Sequence, residues 1–435
     1  MALQIRRFLN PRKSCSCSMP GVWRAVAYAA GFVTIFHSPK ACAHVARTMD
    51  INSYYRAQAD NSPEGWPTVP LLSSQLEERH AIFGGVEQLE TCIAFAVAKY
   101  KPSCLVIANS CVAGVIGDDV GAVVREAEEK YQLPILTVDC YGFLDGEYYQ
   151  GYYDTAAAIV KNLIKPAPKR PGTVILLGDN GGPWGNYAKE VTRLLTGLGL
   201  KVVGQFPGYV AYKELHKVAS AEYSLVLGGR GKTHVGLVAL ANLLEERFNV
   251  KTTPALYPIG WQGLCTWLKA MGQLFGAQQQ ATALLAQEEK EYTKGLEKFL
   301  SVTKSRPVAL VIGRYLEYFH PEAIVETMAA LKLQVSFIML LDAYEPQAYR
   351  EMAEALQEAC QRILGFLPPF YKQGQEEGLF EQVHLALTTH ELKVPCKQLF
   401  LPMLPKVGLR GELDFMEAIY RALASRHGGG GISYV

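Results

Sequence analysis

Three cysteines are placed for chemistry: Cys17, Cys42 and Cys111. Cys17 precedes a Pro20-Gly21 break, and Cys42 follows His37-Ser38-Pro39 at the end of an apolar, helix-like run. Cys111 closes a buried-strand pattern, Cys104-Leu105-Val106-Ile107-Ala108-Asn109-Ser110, and opens onto Val115-Ile116-Gly117-Asp118-Asp119. Thiolates at the ends of separate elements can converge on one inorganic centre, and soft sulfur donors favour iron–sulfur or zinc. Structural zinc sites usually draw on C-x₂₋₄-C pairs, and Cys15 and Cys17 stand too close together for that pattern. Iron–sulfur ligation is the better reading. Three thiolates leave the usual four-cysteine shell incomplete, which predicts that a second chain helps to complete it.

The other reactive side chains read more plainly. Cys92 sits among Ala94 and Ala96 in a helical pattern and Cys104 heads an apolar strand, so both are expected in the core. Cys265, Cys360 and Cys396 read as packing residues, and Cys140, at a strand end near the proposed site, is a lesser ligand candidate. Asp118-Asp119 can bind a cation, but two acids after a glycine more often cap the following helix. Gly228 to Thr233 ends in Gly231-Lys232-Thr233, yet a phosphate loop needs glycine where Val226 stands. A strand turning into a helix can still hold an anion, with Arg230, Lys232 and His234 facing it, or be a tight turn and nothing more. His37 is either an outer-shell hydrogen-bonding group or a histidine with a structural partner. Arg410, before the last helix, can offer a cation to an inter-domain cleft.

These residues need elements to hold them. The chain has 435 residues, 49% hydrophobic and 19% charged, which is globular and too long for one core. A net charge of +2 indicates neither a nucleic-acid footprint nor an acidic tail. Ten cysteines in this length do not make a disulfide scaffold, so a reducing cytoplasm is the expected setting. Arg6, Arg7, Arg12 and Lys13 precede an apolar run from Val22 to Phe36, and Ala41-Cys42-Ala43 resembles a cleavage site. Those are parts of a secretory signal. Arg24 and Pro20-Gly21 argue against one, and the run is shorter than the roughly 20 residues of a membrane span.

Ser53 to Pro67 reads as loop. Beyond Phe83, helices at Val86–Lys99, Val120–Lys130 and Thr155–Ile164 alternate with strands at Cys104–Asn109 and Pro134–Val138. A Pro/Lys segment, Lys165 to Pro171, marks a boundary. A second unit has strands at Thr173–Leu177, Lys201–Phe206 and Ser224–Leu227. A helical bridge starting at Trp261, with a long polar helix Gln278–Thr303, leads to a third unit. Its strands are expected at Pro307–Ile312, Val335–Leu341 and Gln398–Leu401, before a helix Glu412–Ser425 and a flexible Gly428–Gly431 tail. The pattern predicts an α/β protein of three Rossmann-like doubly wound units with parallel sheets. Their expected extents are 1–165, 172–275 and 276–435.

The motifs resemble those of nitrogenase component 1 proteins. Phe83-Gly84-Gly85, a helix and strand, then Cys111 and Ile116-Gly117-Asp118-Asp119 are similar to a signature of that family. Val138 to Phe143, Gln150-Gly151-Tyr152 and Tyr257-Pro258-Ile259-Gly260 continue the likeness. His37 to Cys42 resembles the segment ending in the family's second cluster cysteine, with Cys17, or less well Cys15, as the first. The resemblance implies an interfacial iron–sulfur cluster, 4Fe-4S or larger, held by Cys17, Cys42 and Cys111. It implies a homologous partner subunit, in a heterodimer or heterotetramer, and electrons from an ATP-dependent iron protein. A nucleic-acid or membrane partner is not expected. The chain departs from catalytic alpha-type members: no cysteine follows the middle strand at Gly228–Thr233, and no histidine lies between His390 and His427. These missing ligands suit both an electron-transferring reductase subunit and the alternative, a cofactor-assembly scaffold without catalysis. A solute-binding or sensory α/β protein lacks a reason for three such cysteines.

Overall fold

The computed structural model describes residues 17–48, 68–141, 148–228, 231–313, 320–341, 346–375, 378–401, 407–425 and 432–434. Cys15, the Ser53–Pro67 loop, Arg230, His427 and Gly428–Gly431 lie outside the described residues. Helix α1 (Met19–Arg24) leads into strand β1 (Phe32–His37), which is buried along its length. The apolar run ending at Phe36 is therefore not one helix. Gly31, at φ +96°, turns the chain between the two elements. Phe32-Val33-Thr34-Ile35-Phe36 is aromatic and β-branched, a composition that suits a pleated, buried strand.

Helix α2 (residues 40–48) follows, then β2 (Leu71–Ser73), α3 (His80–Phe83), α4 (Val86–Tyr100) and β3 (Cys104–Ser110). Next come α5 (Cys111–Ile116), α6 (Val120–Tyr131), β4 (Ile135–Cys140) and α7 (Tyr148–Asn162). The sheet runs β2-β1-β3-β4, all parallel, and places His37 opposite Asn109 and Asn109 opposite Asp139. All of β3 is buried, as expected of a parallel strand covered on both faces. One face takes the stripes Leu89, Ile93 and Ala96 of α4 and Val120, Val123, Val124 and Ala127 of α6. Against the other pack α1 and α7, whose backbones meet at Gly21 and Gly151. A Cβ on Gly21 would strike Tyr148 O, and one on Gly151 would strike Ser18 O.

The second sheet contains β5 (Arg170–Leu177), β6 (Lys201–Phe206), β7 (Ala221–Val226) and β8 (Lys251–Thr252), in the order β6-β5-β7-β8. Strand β5 begins within the Pro/Lys segment, because Arg170 pairs with Ala221. Helices α8 (Asn186–Gly197), α9 (His216–Ser220) and α10 (Gly231–Phe248) accompany it. One apolar cluster joins the two sheets, containing Phe32, Phe36 and Val106 from the first and Ile175, Leu177 and Val226 from the second. Helices α11 (Gly260–Leu274) and α12 (Gln278–Thr303) form the bridge. Gly260, at φ +70°, brings this turn against Ala323 and Glu326, and Pro258 O accepts the N–H of Gly408 at 2.8 Å.

The third sheet has six parallel strands: β9 (Pro307–Ile312), β10 (Gln334–Leu340), β11 (Phe370–Lys372), β12 (Leu385–Thr388), β13 (Lys397–Phe400) and β14 (Ile432–Tyr434). Their order is β11-β10-β9-β12-β13-β14, the doubly wound arrangement of dinucleotide-binding sheets. Helices α13 (Pro321–Ala330), α14 (Pro346–Leu364) and α15 (Gly408–Ala424) complete the unit. The expected fold class, three parallel doubly wound sheets, is the one found.

Candidate metal centre

Beyond the C-terminal ends of a parallel sheet, the gap where crossovers turn to opposite sides is the usual site position. In the order β2-β1-β3-β4 that gap lies between β1 and β3. Cys42, on α2, follows β1, and Cys111, the first residue of α5, follows β3. Both thiols are free and half-buried. They are near enough that charge on Cys111 raises the pKa of Cys42; burial is the larger cause of that rise, and a hydrogen bond with Ser38 opposes it. Ser110 caps α5 through its Oγ, which accepts the N–H of Ala113 at 3.2 Å. Helix α5 also lies close to the end of β4, because a Cβ on Gly114 would meet the ring of Tyr141.

Cys17 is likewise half-buried, and sits by Cys140 at the end of β4. Burial pushes the Cys140 thiol up to about 12, Ser18 lowers it by hydrogen bonding, and Cys17 raises it. Cys140 is thus a buried neutral thiol, 3.6 Å from the Val138 carbonyl. The structure accordingly groups the cysteines as Cys42 with Cys111 and Cys17 with Cys140. The strand-end position of Cys140 near the site was legible in the sequence; its pairing with Cys17 was not. Among the described residues no group of three or more His, Cys, Asp or Glu side chains can hold a single metal ion. A multi-iron cluster is a different demand, since its own iron and sulfide core separates its ligand sulfurs. Half-buried thiols at the ends of parallel strands fit that group in donor type and exposure.

A second polar cluster adjoins the gap. His37 is fully buried, with Nδ1 2.9 Å from Ser74 Oγ and Nε2 2.9 Å from Asp118 Oδ2. Burial lowers its pKa, Asp118 opposes that by hydrogen bond and charge, and His80 adds to it. Asp118 Oδ1 accepts the N–H of Gly85 at 2.8 Å. Of the adjacent acids only Asp119 caps α6, its Oδ1 accepting the N–H of Ala122 at 2.9 Å. Asp118 instead serves the loop before α4. The structural-partner reading of His37 is the one its contacts match, and Ser74 had no distinguishing mark in the sequence.

Around the middle sheet, Arg24 donates to Asp179 at 2.8 and 2.7 Å and to Tyr209 Oη at 2.5 Å, under the rings of Tyr28 and Tyr209. Asn180 Nδ2 donates to Leu227 O at 2.7 Å, closing the ends of β5 and β7 together. His234 Nδ1 lies 2.9 Å from Tyr257 Oη, so this histidine faces a phenol. Arg230 and the Lys232 side chain are not among the described groups, and Arg410 is exposed. Cys360 and Cys396 are buried in core clusters of the third unit, as their packing reading requires. Among the described residues no helix is long and apolar enough to cross a membrane.

Three parallel sheets, with half-buried thiols at a switch point of the first, define an α/β protein of the Rossmann-like class. The chain belongs to the family described as Nitrogenase component 1 type Oxidoreductase, which matches residues 17–423. Similar proteins include the nitrogenase iron-molybdenum cofactor biosynthesis protein NifE of Clostridium pasteurianum, 26% identical over 56% of this chain and 52% of that protein. The nitrogenase molybdenum-iron protein alpha chain of Methanothermobacter thermautotrophicus is 24% identical over 82% of this chain and 75% of its own length. Alignments to the first three curated relatives span only about half of their length. In structure, the chain is similar to nitrogenase Cp1 at pH 6.5, with a TM-score of 0.68 and 16% identity, over 97% of this chain and 94% of that one. At that identity the likeness shows the fold.

Proposed function

We propose that this chain is the subunit of a nitrogenase-like reductase that ligates an interfacial iron–sulfur cluster through Cys17, Cys42 and Cys111. The cluster, 4Fe-4S or larger, supplies reversible electron transfer at low potential, tuned by burial and hydrogen bonds. Electrons come from an ATP-dependent iron protein, and a homologous subunit completes the ligand shell in a cytoplasmic heteromer. The observation that carries the reading is the pairing of half-buried Cys42 and Cys111 at the β1/β3 switch point. An unfinished surface beside them supports it: Ile82, Phe83 and Val115 are 79%, 84% and 80% exposed, with Val45 and Val112 also open. Contiguous exposed apolar residues mark a face that a partner covers.

A scaffold on which a metal cofactor is assembled is the second reading. It is favoured by the likeness to a cofactor biosynthesis protein, and the absence of cysteine in Gly228–Thr233, after the middle strand, suits both readings. Iron and sulfide analysis of anaerobically purified, co-expressed protein tests the ligation. Cys17→Ala, Cys42→Ala and Cys111→Ala each lower iron content, whereas Cys360→Ala does not. Unchanged iron in all three ligand variants removes the basis of both readings. Reduction of the cluster by an iron protein with ATP, followed by substrate turnover, separates reductase from scaffold.

A further inference from the structure

We propose that the buried His37–Asp118 pair is a positioning pair that sets the separation of Cys42 and Cys111. The inference rests on the cluster reading above but concerns the apoprotein's own geometry. His37 is the last residue of β1, and the chain runs from it through Ser38 and Pro39 into α2 and Cys42. Asp118 follows Gly117, the left-handed cap of α5, whose first residue is Cys111. The 2.9 Å contact between Nε2 and Oδ2 therefore ties the exit of one cysteine's strand to the end of the other cysteine's helix.

The rest of the arrangement makes the tie rigid. Ser74 Oγ accepts the N–H of Ser38 at 3.1 Å and lies 2.9 Å from His37 Nδ1, while the carboxylate at Nε2 can only accept. Nε2 therefore carries the hydrogen of the neutral ring and donates to Asp118, and Nδ1 accepts the Ser74 hydroxyl proton. The second Asp118 oxygen takes the Gly85 N–H. Gly84, at φ +81°, turns that N–H inward, and a Cβ on Gly85 would stand 2.8 Å from Asp118 Oδ2 and strike Leu76. Phe83-Gly84-Gly85 and Gly117-Asp118, distant in sequence, are therefore two halves of one hydrogen-bonded unit beside the thiols. Both His37 and Asp118 are buried, so the bonds are not exchanged with water. Buried groups that lose one partner keep the cost of desolvation, which is why such a unit holds a single arrangement.

The test uses the full chain with Cys15, Cys17, Cys92 and Cys265 replaced by serine, leaving Cys42 and Cys111 as its accessible thiols. Dibromobimane, which fluoresces after bridging two thiols, reports their separation in the apoprotein. His37→Leu and Asp118→Leu are expected to lower the bridged yield several-fold, while His37→Gln, which can still donate to Asp118, retains it. Asp119→Asn, which preserves the α6 cap, serves as a control. Should His37→Leu not fold, Asp118→Leu, close to the carboxylate in shape, carries the comparison. With all other cysteines restored and iron loaded, Asp118→Leu is expected to hold iron about tenfold less tightly. Its electron paramagnetic resonance spectrum should shift, with the His37→Gln spectrum overlaying the parent. Folded Asp118→Leu protein with parental bridging and spectrum overturns the pair's role. If the parent binds no iron yet its bridging depends on His37 and Asp118, the cluster reading fails and the positioning pair stands.

Discussion

Glu412 lies near the start of α15, 5% exposed, with Oε1 accepting a hydrogen bond from Thr327 Oγ1 at 2.9 Å. Burial raises its pKa to about 7; the Thr327 bond pulls it down, and Glu326 nearby adds to the rise. A carboxyl whose folded value exceeds its unfolded one contributes stability that is complete below the unfolded pKa. That contribution is lost as pH rises through the folded value. The window for this chain is therefore pH 4.5 to about 7. Ionising the group in place costs on the order of 3 kcal/mol. Glu412→Gln keeps the acceptor for Thr327 and removes the charge. Denaturant titrations should show the variant more stable than the parent at pH 8 and similar to it near pH 4.5. Equal stability at pH 8 would mean that the carboxyl is solvated when ionised.

At the scale of elements, Arg24 shows how α1 is fixed to the middle sheet. Its fork meets Asp179, in the turn after β5, and Tyr209, in the loop after β6, which itself donates to Asp179 at 2.5 Å. Tyr28 stacks on Tyr209 at 5.5 Å, so the guanidinium is enclosed by aromatic faces. Arg24→Ala takes the bidentate cation from a partly buried carboxylate that keeps its Tyr209 bond, and should cost on the order of 3 kcal/mol in chemical denaturation. Arg24→Lys keeps charge but not the bidentate geometry, and should recover only part of it. A loss no larger than that of a surface ion pair would show that α1 docks through its apolar residues alone. The sequence displayed Arg24 only as an interruption in an apolar run. Continuous apolar strands such as β3, β5 and β9 were legible because both their faces are covered. β1 was not, since an unbroken apolar run has no period to separate helix from strand. β2, β8, β11 and β14, of two or three residues, carry too short a pattern to be seen.

On the scale of the whole molecule, the three sheets and the candidate ligands were readable from residue type and order, but their meeting was not. Cys17 beside Cys140, and Asp118 against His37 and Gly85, join positions far apart in the chain, and only packing brings them together. The same limit hid the outward face formed by α3 and α5. Helix α3 is four residues long and gives no amphipathic signal, yet it presents Ile82 and Phe83 beside Val112 and Val115. These side chains keep apolar area in water, and covering them is favourable by roughly 25 cal/mol per Å² of area removed. Under the proposed function this face is covered by the partner subunit or by the iron protein. Phe83→Glu and Val115→Glu place charge in the contact without touching the core, so the folded chain should keep its melting temperature. Sedimentation of the chain co-expressed with a homologous component 1 subunit distinguishes the two occupants. Weakened association of the subunits assigns the face to their interface. Intact association, with slower cluster reduction by iron protein and ATP, assigns it to the electron donor. Parental association together with parental reduction would leave the face without a role in either contact, and the partners would then have to meet this chain elsewhere.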